Sequence, residues 1–143
     1  MTTRARPEGD ERGQASVLLI GVLMIGLMFV GLAVDGARMF TARRDLQSVA
    51  DSAALAGASS LDEAQYRTSA GLDVRLDPVA ARRAVDEVLA GSLLPPSVRV
   101  DVAVTDNRVD VRIARPVRPL FLGLVGMGPQ RIGAHASASP QTG

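Results

Sequence analysis

Cysteine, tryptophan and lysine are all absent from this 143-residue chain. Without thiols there are no disulfides, no thiolate metal site and no cysteine nucleophile. With one tyrosine and three phenylalanines, the chain has no aromatic belt of the kind that marks a membrane interface. Arg12 and Arg38 are left as the depth markers. All sixteen basic residues are arginine, a bias that carries no functional argument. The net charge is only +1, so no strong field of one sign draws nucleic acid. His135 is the sole histidine, with no HExxH pattern around it, and reads as a strand or surface residue rather than a metal ligand.

Charge is also missing from one long stretch. Ala15 to Val34 (ASVLLIGVLMIGLMFVGLAV) runs for twenty residues without an ionisable side chain. As a helix rising about 1.5 Å per residue, it matches the roughly 30 Å hydrocarbon core of a bilayer. It outlasts the roughly 7–15 apolar residues of a signal peptide. The arginines before it, Arg4, Arg6 and Arg12, are matched by Glu8, Asp10 and Glu11, a poor signal n-region. A retained anchor is therefore favoured over a cleaved signal. Arg43–Arg44 follow the run rather than precede it, so they form no twin-arginine signal. Three arginines precede the run and three follow within ten residues, so the positive-inside rule gives no orientation. Just over a hundred residues remain after Val34, enough for one small domain with a modest core.

A second helical pattern begins at Asp35 with no intervening proline. Asp35, Met39, Ala42, Leu46, Val49, Ala53 and Ala56 recur alternately four and three apart, a heptad-like seam. Its small residues allow a partner to approach closely. Two readings stand: the seam covers the chain's own sheet, or it packs against neighbouring subunits. The span and the seam together predict one rod from Ala15 to Ala56, about 60 Å long, with Gly31 and Gly36 inside it. Asp35 stands at the outer edge of the span, three residues before Arg38. An i,i+3 interface ion pair would relieve the cost of a carboxylate there, and solvation at the membrane boundary is the plainer alternative.

The segment Gly13–Ala58 resembles the N-terminal module of the TadE/TadG-like proteins of the Flp (tight-adherence) pilus apparatus. The resemblance rests on Gly13-Gln14 at the head of the apolar run, Val34-Asp35-Gly36-x-Arg38, Arg43-Arg44-x-Leu46-Gln47, and Ala50-Asp51-Ser52-Ala53-Ala54-Leu55-Ala56-Gly57-Ala58. It implies a pilin-like topology: a cytoplasmic head, one membrane helix and an outer domain, acting as a minor pilin or assembly component. Gly13 and Gln14 are the candidate processing site. In one respect the chain departs from prepilins, which carry an acidic residue five positions after the cleaved glycine. Here that residue is Leu18, and the apolar run holds no carboxylate. The departure favours permanent anchoring over entry into a pilus shaft.

The rest predicts an α+β domain. Ser59–Asp77 reads as a polar connection containing Gly71. Asp77-Pro78 then starts a helix, with Asp as N-cap and Pro at the first helical position. Its buried stripe is Ala81, Val85, Val88 and Leu89, and Gly91 with Pro95-Pro96 ends it. Val98–Thr105 and Val109–Ala114 alternate apolar and polar residues. A two-residue turn at Asp106-Asn107 places Val104 opposite Val109, Val102 opposite Val111 and Val100 opposite Ile113. The same register sets Asp101 opposite Arg112 on the other face. Leu120–Met127 (LFLGLVGM) is too short to span a bilayer. A short helix plugging the core is the favoured reading, with contact to the bilayer or another subunit as the alternatives. Arg131–Ser139 alternates weakly and makes a third strand. This ending also looks like the C-terminal region of the same family.

No catalytic constellation emerges. Asp73 and Asp77 have loop-ligand spacing without an EF-hand pattern around them. Ser16 has no base, and there is no Walker motif, GxSxG or GxGxxG. The expectation is a non-enzymatic membrane protein with no cofactor, no metal, no nucleic-acid partner and no small-molecule substrate. The implied boundaries are a cytoplasmic head at 1–14, the span and its extension at 15–58, a domain at 59–139 and a tail at 140–143. Its partners would be the membrane and other pilin-like subunits or pilus and secretion machinery. The alternative is a membrane-tethered binding or regulatory module unrelated to a pilus shaft.

Overall fold

A computed structural model describes residues 9–69 and 74–140. The first helix, α1, runs unbroken through Gly9–Ala58, 50 residues or about 75 Å. It is followed by α2 (Glu63–Thr68), α3 (Pro78–Gly91), β1 (Arg99–Thr105), β2 (Arg108–Val117), α4 (Phe121–Leu124) and β3 (Gln130–Ala138). The chain is thus α+β, with a long apolar N-terminal helix leading into a small domain. Among the described residues α1 alone is long and apolar enough to cross a membrane.

The three strands form one antiparallel sheet in the order β1-β2-β3. Val104 pairs with Val109, Val102 with Val111, Val100 with Ile113 and Asp101 with Arg112, the register that the alternation predicts. A one-residue slip would turn Val109, Val111 and Ile113 out to solvent, so burial pins the pairing. The third strand begins one residue earlier than expected, at Gln130, and pairs along β2 from Val117 to Val109.

The upper half of α1 and all of α3 cover one face of this sheet. Asp77 caps α3 as expected: its Oδ1 accepts the backbone N–H groups of Val79 at 2.9 Å and Ala80 at 3.1 Å. Ala81 and Val85 are the fully buried residues of that helix, and Val88 and Leu89 pack half-buried against the core. The connection before it is more ordered than its polar composition implies. It holds α2, and Leu61 bridges to Leu76, which is buried. Asp62 donates its backbone N–H to Arg75 at 2.9 Å, and Asp77 donates to Ser60 at 3.1 Å, so the connection doubles back on itself. Gly71 and Asp73 lie outside the described residues, as do the head's first eight residues and positions 141–143.

The core is small in side-chain volume and dense. Ala50, Ala53 and Ala54 of α1 share one buried cluster with Val85, Val109, Val111 and Ile113, and Leu46 and Leu76 are its leucines. Gly57 marks a close approach within this core. A Cβ there would lie 2.8 Å from a methyl of Val85 and 3.1 Å from both methyls of Val109. Gly36, on the same helix, has nothing within 4 Å of that position. Gly57→Ala is therefore expected to destabilise the domain by about 1–3 kcal/mol through overpacking. Gly36→Ala should instead stabilise by about 0.5–1 kcal/mol, the ordinary helical gain of Ala over Gly. Thermal unfolding of the full chain in detergent should separate the two variants in opposite directions.

Candidate functional site

α1 changes surroundings along its length. From Val17 to Val34 its large side chains are bare, each between 39% and 71% exposed. From Ala42 onward one face is sealed against the chain's own sheet and α3. The change falls at Asp35, which is only 1% exposed and is the one buried charged residue in the core inventory of the described residues.

Asp35 is buried because α4 sits on it. Its Oδ1 accepts the backbone N–H of Leu120 at 2.7 Å, and its Oδ2 accepts those of Phe121 and Leu122, both at 2.8 Å. A helix start leaves its first N–H groups without partners, and a local Ser, Thr, Asp or Asn usually takes them. The residue at that position here is Leu120, which offers no side-chain cap. Asp35 supplies the cap from 85 residues away. One turn earlier, at Gly31, a Cβ would lie 2.7–2.8 Å from the Cβ, Cγ and Cδ1 atoms of Phe121. The bare backbone of Gly31 is the seat for that ring. Gly31 and Asp35, four apart on one helix face, together form a socket for α4.

The electrostatics agree with the geometry. Loss of water around Asp35 raises its carboxyl, but the N–H groups of Leu122, Leu120 and Phe121, aided by the Arg38 charge, outweigh that. The group therefore stands below the usual carboxylate range and is held as an anion. Arg38 acts as a nearby charge and not as a direct partner. Among the described residues no Asp35–Arg38 ion pair is formed, and three backbone donors hold the carboxylate instead. The sequence signal for this role was Asp35 itself; the donors are main-chain groups and have no signature of their own.

The seam residues separate into two groups. Ala42, Leu46 and Ala53 are fully buried, whereas Met39, Val49 and Ala56 are half-buried. Ala50, Ala54, Gly57 and Ala58, off the seam, are buried instead. A straight helix repeats every 3.6 residues, so its contact face drifts away from a 3.5-residue heptad. The partner of this face is the chain's own sheet and α3, the first of the two readings. LFLGLVGM does not plug the core: no residue of α4 is buried, and α4 packs chiefly on α1. Gly13 and Gln14 are exposed residues within α1. His135 is an exposed β3 residue whose Nε2 lies 3.2 Å from Asp110 Oδ1.

Chemistry has little to work with here. Among the described residues no group of three or more His, Cys, Asp or Glu could hold a metal ion. A recess of about 610 Å³ between the ends of α1 and β3 is lined by Leu55, Ala58, Leu61, Ser137, Ala138 and Pro140 among others, with no ionisable side chain.

Residues 13–60 match the family model described as Flp pilus-assembly TadE/G-like. No curated protein and no solved structure gives a match to the chain. The matched segment contains Gly31, Asp35 and the whole buried face of α1, but not α4.

If Asp35 holds α4, Asp35→Ala should free that segment while leaving the sheet intact. Chymotrypsin should then cut the full chain in detergent near Phe121 several-fold faster than wild type. Asp35→Asn, which keeps one acceptor oxygen, should fall between the two. Acid should act in the same direction. A carboxyl held low in the folded state stabilises α4 docking above the ordinary carboxylate range, and that contribution is lost as pH falls through the lowered value. Faster cleavage at acid pH in wild type, without a matching change in Asp35→Ala, is the expected result, read with an acid-active protease.

Proposed function

We propose that this chain is a non-enzymatic, single-span, pilin-like component of a Tad/Flp-type pilus or secretion apparatus. The observation that carries the proposal is the division of α1 into a bare apolar half and a half buried on a small antiparallel sheet. The match of residues 13–60 to a pilus-assembly family supports it. In this reading residues 1–14 face the cytoplasm, 15–34 cross the membrane, and the extension of α1 with the 59–139 domain stands outside. The site residues work structurally: Asp35 and Gly31 hold the β2–β3 connection against α1 where the helix leaves the bilayer.

Because the upper face of α1 is occupied within the chain, contacts with other pilin-like subunits fall to the lower half and to the face carrying Phe40 and Leu55. Those two side chains are 67% and 68% exposed. The leucine at position 18, where prepilins carry an acidic residue, favours a fixed anchor over a shaft subunit.

The absence of cysteine makes the test clean. Single cysteines at Leu27, Phe40 and Leu55, each labelled with a thiol-reactive photocrosslinker, should give crosslinks to other pilus-apparatus subunits when the chain is expressed among them. A cysteine at Val79, exposed on α3, should give none. Crosslinks absent at all three helix positions, with the protein confirmed in the membrane fraction, would instead favour a monomeric tethered module.

A further inference from the structure

The α4 loop leaves an apolar face uncovered. From Pro119 to Pro129 (PLFLGLVGMGP) the chain carries no charge, and Arg118 and Arg131 stand at its two ends. The folded domain does not use these apolar side chains. Leu120, Leu124, Val125 and Met127 are 55%, 83%, 62% and 52% exposed. The loop's height is set by its seat: Phe121 rests on Gly31, three residues inside the uncharged run that ends at Val34. That is about 6 Å below Asp35 at 1.5 Å per helical residue. A segment packed against α1 at that level shares its depth. If residues 15–34 lie in hydrocarbon, so does the tip of this loop.

We propose that α4 and the turn after it insert into the outer leaflet beside α1, with lipid as the occupant of their apolar face. The inference rests on the membrane-anchor reading above. Continuity with the span argues for lipid over a protein partner, because the exposed face of α4 and the bare face of α1 adjoin across the Gly31 contact. The charge pattern agrees. Arg38 and Arg115 line one recess at the base of the domain, and Arg99, Arg115 and Arg131 line a second. Asp45 is the one acidic side chain in those two recesses. The Arg115 Nε is buried without a hydrogen-bond partner. Arginines around an apolar tip suit the phosphate layer of a bilayer, where guanidinium groups remain solvated above buried hydrocarbon. The burial of Asp35 has a further meaning in this light. Without the cap, α4 would bring three unsatisfied N–H groups toward the hydrocarbon, where acyl chains offer no acceptor.

The chain has no tryptophan, so a single one can report on its surroundings. The full chain is reconstituted in phosphatidylcholine–phosphatidylglycerol vesicles whose acyl chains carry bromine at both shallow and deep positions. Leu124→Trp is compared with Leu23→Trp in the span and Val79→Trp on α3, and Met127→Trp provides a second probe of the loop should Leu124→Trp misfold. The proposal predicts that Leu124→Trp and Met127→Trp lose fluorescence to a degree comparable with Leu23→Trp, while Val79→Trp is unaffected. Quenching of Leu23→Trp with none at either loop position overturns it. If the unquenched loop tryptophans emit at long wavelength, the loop stands in water. If their emission is blue-shifted and depends on protein density, a second copy covers it. No quenching of Leu23→Trp would remove the membrane anchor itself, and the proposal with it.

Discussion

A carboxylate at the mouth of a membrane span must be answered by donors, because removing it from water unpaired costs several kilocalories. Asp35 is answered by three main-chain N–H groups from a single turn of chain. The arrangement solves two problems at once. The carboxylate needs donors, and the start of α4, built from Leu120, Phe121 and Leu122, needs an acceptor that its own sequence does not supply. Each is the other's partner. The contact also ties the β2–β3 connection to α1, below the stretch where the sheet packs on the same helix.

Around that point α1 has to satisfy two solvents with one continuous backbone. Its lower half is bare and apolar, with Val, Leu, Ile and Met on every side. Its upper half confines burial to one broad face, because the sheet and α3 cover it from two sides. Alanine and glycine dominate that face, which lets the helix axis come close to the sheet. At Gly57 the backbone of α1 comes close to Val85 of α3 and Val109 of β2. The cost of such a core is that it has little apolar area per residue, and the chain has no disulfide to offset this. The dense packing of Val109, Val111 and Ile113 beneath α1 supplies the stability instead.

Much of the domain was legible because its signals are local or pairwise. The hairpin register followed from alternating valines and one Asp–Arg pair, and the start of α3 followed from Asp77-Pro78. The seam was legible as a buried face but not by partner, since small residues at helical spacing suit a sheet and a neighbouring helix equally. Its heptad bookkeeping also picked Val49 and Ala56 over Ala50 and Gly57, because a straight helix does not hold a 3.5 repeat. The socket was not legible. Asp35 stands out in the sequence, which offers two readings of it, an ion pair with Arg38 or solvation at the membrane boundary. The true donors lie 85 to 87 residues away and are backbone groups. Gly31 gave no sign either, since glycine in a membrane helix needs no special reason. One clue was present: LFLGLVGM begins a turn of helix with no capping residue of its own.

The central claim is that Asp35 holds α4 at the exit of the span in the membrane-embedded protein. Amide hydrogen exchange of the full chain in lipid nanodiscs tests it most directly. The account predicts slow exchange at Leu120, Phe121 and Leu122 in wild type, lost in Asp35→Ala while the β2 amides keep their protection. Fast exchange at those three amides in wild type, or protection that survives Asp35→Ala, would contradict it.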